Sequence, residues 1–223
     1  MPKILTVLHT GLTTVPVIGR QIKDILPQDV VVRHVVDDSL LIDTRIAGYM
    51  TDDVAQRIVS YVKLAESHGS DCVLFACSSV GPAADLAREV VKIPVLKIDV
   101  PMAEAAVDRG PRIAILATVS TTLKPTRALV EAAAKEKGAK VEIQTFLSDK
   151  AFDKLSEGDV EEHNRLLIGD IVKCAKEFDV VVLAQASMTN ILPALPEDVL
   201  RKVLTSPRLG VLRTAQVLEG IKK

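Results

Sequence analysis

The chain has no tryptophan, only two tyrosines and four phenylalanines in 223 residues, so it has little with which to stack nucleobases. It also lacks net charge: 28 Lys and Arg stand against 29 Asp and Glu, a balance of −1. No basic field is therefore available to hold nucleic acid or an anionic membrane by counterion release. No apolar run is long enough to span a bilayer, and no secretory leader is recognisable. Three cysteines are too few, and odd in number, for a disulfide framework, which points to a chain kept reduced in the cytoplasm. Cys72 and Cys77 are five residues apart and Cys174 has no ligand-type neighbour at metal-site spacing, so no zinc site is expected.

Hydrophobic residues make up 48% of the chain, enough for a substantial core. Bursts rich in Val and Ile alternate with longer stretches of helical period, the pattern of a parallel sheet flanked by helices. The bursts are KILTVL from Lys3, VVVRHVV from Val30, CVLFA from Cys72, IPVLKI from Ile93, RIAILA from Arg112, KVEIQTF from Lys140 and VVVLAQ from Val180. No Gly, Ser or Pro-rich linker separates them. A shift of 109 positions lays Ile4 on Ile113, Val32 on Val141 and Val73 on Val182. The same shift lays Thr13 and Pro16 on Thr122 and Pro125, and the helical residues Asp52, Asp53, Ile58, Val59 and Val62 on Glu161, Glu162, Leu167, Ile168 and Ile171. This predicts a duplicated α/β domain: residues 1–100 with 205–223 as the first copy and 101–204 as the second. Because ligands in open α/β sheets bind beyond the carboxyl ends of strands, equivalent strand ends of the two copies are expected to face one another across a cleft. At that shift Cys77 falls on Ala186 and Ser78 on Ser187.

Cys77 closes an apolar strand and is followed by Ser78 and Ser79 as candidate helix caps, Gly81 for a tight bend and Pro82 near a first helical turn. N–H groups at such a helix start would favour both a thiolate and an anionic substrate. A small cysteine at a strand end is also an ordinary core filler, and spacing alone leaves both readings open for Cys77. Cys72, in mid-strand, and Cys174, on an apolar helix stripe, are read as core.

The stretches FACSSVGP, IPVLKIDVPMAEAAV, IAILATVSTTLKP and VVLAQASMTNILP, in that order and over nearly the whole chain, resemble the aspartate/glutamate racemase superfamily. That superfamily also includes hydantoin racemases, maleate isomerases and arylmalonate decarboxylases. The resemblance implies two flavodoxin-like, doubly wound parallel-sheet domains related by a pseudo-two-fold axis, with substrate between them and no cofactor. In racemases of the superfamily one cysteine from each half flanks the substrate α-carbon. Cys77 matches the first of these positions and Ala186 is read at the second. An alanine methyl can neither accept nor donate a proton, so two-thiol racemisation is not expected. One thiol suffices to add to an unsaturated acid and leave after bond rotation, as in maleate isomerases, or to protonate a carbanion left by CO2. Arylmalonate decarboxylases carry their single thiol in the second half, so the present arrangement is nearer the isomerases. The expectation is a cofactor-independent isomerase-type enzyme acting on a small carboxylic acid, with decarboxylase, lyase or non-catalytic carboxylate binder as the alternatives.

Other strand-end residues complete the expected site. His9 and Thr10 follow the first strand, His9 as a base for Cys77 or a donor to substrate, with a plain strand-capping role as its rival. Thr118, Ser120 and Thr121 form a hydroxyl-rich turn that, by the resemblance, binds the substrate acid group. Gln185 and Ser187 end the last apolar burst. Asp37, Asp38, Asp43 and Arg45 suit a mobile segment, and His68 and His163 are read as surface residues. Homo-oligomers are common among proteins of this kind, and apolar stripes do not single out a pairing face.

Overall fold

A computed structural model describes residues 2–221. Eight strands run β1 Ile4–His9, β2 Val31–Val36, β3 Cys72–Phe75, β4 Val95–Lys97, β5 Arg112–Ala117, β6 Glu142–Leu147, β7 Val180–Leu183 and β8 Val203–Thr205. Ten helices intervene: α1 Thr14–Ile25, α2 Ser39–Ala47, α3 Asp52–Ser67, α4 Ala83–Arg88, α5 Val100–Arg109, α6 Leu123–Glu136, α7 Asp149–Ser156, α8 Val160–Glu177, α9 Glu197–Leu200 and α10 Ser206–Gly220. The strands form two four-stranded sheets of order β2-β1-β3-β4 and β6-β5-β7-β8, with every pairing parallel. The chain divides into two compact units, residues 1–98 with 207–223 and residues 99–206. No helix among the described residues is long and apolar enough to cross a membrane.

The units repeat one topology, but strands and helices keep different offsets. Each sheet's central pair is in matching register: Leu8 lies opposite Phe75, and Leu116 opposite Leu183. The strands therefore superpose at 108 residues, as from Leu8 to Leu116. Leu8, Val73, Phe75 and Val95 face one core, and Leu116, Val181, Leu183 and Val203 face the other at the same offset. Helix α1 opens at Thr14 and α6 at Leu123, 109 apart, and Ile58 and Val62 of α3 are buried like Leu167 and Ile171 of α8 at that same offset, although the N-caps Thr51 and Asp159 of those two helices keep the strand offset of 108. The single shift of 109 thus held for the helical matches and slipped the strands by one. In a strand one residue exchanges the two faces. The second strand differs further, since Ile4 pairs with Val31 but Arg112 with Glu142, so Val32 corresponds to Ile143 and not Val141. β8, which the apolar bursts did not announce, lies where β4 predicts it at 108.

Local chemistry explains the helix starts. The Thr51 hydroxyl accepts the Val54 N–H, and the Asp159 carboxylate accepts the Glu162 N–H, with acids in both first turns suiting the helix dipole. Gly138 stops α6 in a left-handed conformation at φ 64°, and Ala139 N–H returns to Ala134 O. The expected mobile segment after β2 is instead helix α2, held by the Arg57 guanidinium, which bridges Asp43, Asp53 and Asp37. His163 is half-buried, not a surface residue: its Nδ1–H donates to Ala151 O at 2.7 Å and ties α8 to α7.

Helix α10 completes the first unit by close backbone contact. A Cβ on Gly210 would lie 2.5 Å from Ile98 O and 2.9 Å from Ile98 Cα, so any side chain there pushes the helix off the end of β4. Gly210→Ala is expected to cost upward of about 2 kcal/mol, read as a lowered thermal midpoint. An unchanged midpoint would contradict this packing.

Candidate functional site

A sheet of order 2-1-3-4 reverses its winding between its first and third strands, and the crevice beyond their carboxyl ends is the ligand position of open α/β folds. In the first unit that switch point lies between β1 and β3. Ala76 N–H donates to Leu8 O at 2.9 Å, which extends the register so that Thr10 comes beside Cys77. Cys77 is half-buried there, while Thr10, Ser78 and Ser79 are buried. Neither Ser78 nor Ser79, the expected caps, is the N-cap residue of α4. Helix α4 begins at Ala83, six residues past Cys77, with Pro82 at its N-cap and no side-chain cap there. Between them Gly81 N–H closes a turn onto Ser78 O at 3.0 Å, and a Cβ on Gly81 would press to 3.1 Å from that oxygen.

Cys77 is set apart from the other two thiols by its surroundings. Cys72 is fully buried in β3, and burial, reinforced by Asp71, pushes its thiol up to about 12. Cys174 is pushed up to about 11 by burial and by Asp170 and Glu177. Neither supplies thiolate at neutral pH.

His9 is not arranged as a base for Cys77. The Thr14 hydroxyl donates to Gly11 O at 2.9 Å, so its oxygen accepts from His9 Nδ1–H at 2.8 Å. That leaves His9 Nε2 as acceptor for His34 Nδ1–H at 2.9 Å. Both ring nitrogens are thus committed to the loop and to β2. Burial first, and the neighbouring His34 second, lower its pKa to about 4. His9 holds the loop after β1 as a neutral hydrogen-bonding strut, the capping role that rivalled catalysis.

The second unit has the same switch point between β5 and β7. Ala184 N–H donates to Leu116 O at 2.9 Å, which brings Thr118 beside Gln185. The counterpart of Cys77 is therefore Gln185 and not Ala186, while Ala186 answers to Ser78 and Ser187 to Ser79. The absence of a second thiol at this place stands, with an amide in the position read as a methyl. Gln185 Oε1 accepts from Thr118 N at 2.6 Å, Thr118 Oγ1 at 3.1 Å and Val119 N at 3.3 Å. Two backbone donors on one atom identify it as the carbonyl oxygen, which leaves the NH2 as the end able to donate elsewhere. Thr118 is buried, whereas Ser120 is exposed and Thr121 and Ser187 are half-buried. Thr122 turns inward, donating to Val119 O at 2.7 Å. No cluster of three metal-ligating side chains occurs among the described residues.

The fold is thus one of two parallel α/β units, each with a polar switch point, the first carrying the half-buried Cys77, which also packs against that unit's core. The sequence profile of the Asp/Glu/Hydantoin racemase family matches residues 6–214, and the chain belongs to that family, one of racemases and hence of isomerases. The fold is shared with a glutamate racemase isoform from Bacillus anthracis, at 18% identity and TM-score 0.73 over 97% of this chain and 82% of that one. An allantoin racemase from Klebsiella pneumoniae is similar at 17% identity and TM-score 0.68, covering 97% and 87%. An aspartate racemase from Picrophilus torridus is similar at 17% and 0.66, covering 96% and 94%. No curated protein sequence matches the chain.

Gln185→Leu removes the acceptor of two backbone N–H groups and is expected to destabilise the second unit by about 1–3 kcal/mol, while Gln185→Glu, which keeps an acceptor, costs less; equal losses in chemical denaturation would contradict the assignment. A histidine with a lowered pKa binds its proton more weakly folded than unfolded. Its contribution to stability is therefore whole above about 6.5 and is lost as pH falls toward about 4. The His9 ring resonances are expected to stay at their neutral positions down to pH 5; a midpoint near 6.5 would contradict the strut.

Proposed function

We propose that this chain is a cofactor-independent isomerase of small carboxylic acids that uses the single thiol of Cys77 and works in the reducing cytoplasm. The observation that carries the reading is the half-buried thiol of Cys77 just past the last backbone bond between β1 and β3, Ala76 N–H to Leu8 O, at the position where the second unit has Gln185 bonded to Thr118. A thiol can add to carbon and exchange protons, whereas a glutamine amide can only donate and accept hydrogen bonds. The chemistry that fits begins with the Cys77 thiolate adding to an unsaturated acid. The sulfur lone pair forms the C–S bond while the alkene pair moves onto the carbon bearing the carboxylate. Rotation about the new single bond and expulsion of the thiolate then give the geometric isomer. In this reading the hydroxyls of Thr10, Ser78, Ser79, Ser120, Thr121 and Ser187 hold substrate oxygens, with the Gln185 NH2 as a further donor.

The test is turnover in deuterated water with unsaturated diacids, amino acids, hydroxy acids and substituted malonates, for the wild type, Cys77→Ser and Cys77→Ala. Isomerisation of an unsaturated acid is expected, falling by at least about a thousandfold in both variants with circular dichroism unchanged. Near-normal rates in Cys77→Ser would remove the thiol from the mechanism. CO2 release from malonates would favour a decarboxylase, and tight binding without turnover a carboxylate-binding protein.

A further inference from the structure

The second unit contains a groove of about 270 Å³ that includes none of the switch-point residues. Its position follows from a difference between the two copies. In the first unit Tyr61 of α3 packs its ring against the core cluster that contains Leu8, and its hydroxyl donates to Asp37 Oδ2 at 2.9 Å. At the equivalent places stand Asp170 of α8 and Ser148, and the bond is reversed: Ser148 Oγ donates to Asp170 Oδ2 at 2.6 Å. The tie between helix and strand end is kept while the helix side chain loses its ring. The groove lies beside Asp170, with Leu116, Phe146, Leu147 and Phe178 as its apolar lining.

The lining has a definite chemistry. Phe146 and Phe178, two of the chain's four phenylalanines, meet edge to face with centroids 5.5 Å apart, an arrangement whose ring faces attract cations. The charged residues around them are Asp170, Glu177 and Lys173, a net single negative charge. Lys173 pairs with Asp170 at 3.3 Å, and Glu177 has no ion-pair partner among the described residues. Burial first, then Asp170 and Glu177, raise the thiol of Cys174, which lines the groove, while Lys173 acts to lower it. The volume lies near the low end of the range of about 300–1,000 Å³ usual for ligand pockets, which favours a small occupant.

We propose that this groove is a second binding site, separate from Cys77, for a small organic cation with an aromatic or aliphatic body, its ammonium between Glu177 and the phenylalanine rings. The proposal is independent of the isomerase reading. Calorimetric titration of the full chain with phenethylamine, and with phenylacetate as its anionic counterpart, tests it directly. Phenethylamine is expected to bind at one site, with phenylacetate at least about tenfold weaker. Glu177→Gln, at an exposed position, is expected to weaken phenethylamine about three- to fivefold. Asp170→Tyr, which restores the residue type of the first unit, is expected to fill the groove and abolish binding with its thermal midpoint little changed. The proposal is overturned if phenethylamine gives no binding heat, if phenylacetate binds as tightly, or if Glu177→Gln leaves the affinity unchanged. Should Asp170→Tyr fail to fold, the two ligands and the Glu177 variant still decide.

Discussion

The register of the central strand pair in each sheet is the constraint from which the rest follows. Leu8 opposite Phe75 and Leu116 opposite Leu183 determine which residues emerge side by side at the switch point, Thr10 with Cys77 and Thr118 with Gln185. The pairing is enforced by burial on both faces, since β3 and β7 are buried along their whole length. A slip of one residue would turn Val73 and Phe75 out of the core they share with Leu8. The same constraint anchors the strand starts: Asp71 accepts the N–H of Ile4 at 2.6 Å and Asp179 that of Arg112 at 3.0 Å. Cys77 and Gln185 thus occupy equivalent positions because the sheets around them are equivalent.

Much of this was legible in the sequence. Seven of the strands announced themselves as apolar bursts, and the buried stripes of α3 and α8 carried the duplication through Ile58, Val62, Leu167 and Ile171. The register of the strands was not legible, because the matches with the clearest pattern, Thr13 with Thr122 and the buried stripes of α3 and α8, run one residue out of step with the strands. A Val-rich strand fits its copy almost equally well at either offset. β8 escaped notice because its two apolar residues, Val203 and Leu204, stand between Lys202 and Thr205, whereas the equally short β4 lies in the longer apolar run IPVLKI; β6 was misplaced because it is an edge strand with a half-exposed, mixed pattern.

The positions of the strand-end residues were legible in the sequence and their hydrogen-bond partners were not. Cys77, Thr10, Thr118 and Gln185 all lie at switch points, as strand ends in such a fold must. That His9 is bonded at both nitrogens depends on His34 reaching it across the sheet, a pairing that alternation along β2 cannot reveal. That Gln185 holds the turn after β5 likewise depends on strand neighbours 67 residues apart. The two units also differ at pairs such as Tyr61 with Asp37 and Asp170 with Ser148, where one hydrogen bond persists with donor and acceptor exchanged between helix and strand end.

The central claim is that of three thiols only Cys77 is placed to react, the other two being buried and held mostly protonated. Limited alkylation of the native protein with iodoacetamide at pH 7.5, followed by peptide mass mapping, measures this directly. The account predicts that Cys77 is modified more than about a hundredfold faster than Cys72 or Cys174, and that activity is lost in step with it. Comparable rates at the three cysteines, or a Cys77 that stays unmodified while another reacts, would contradict it.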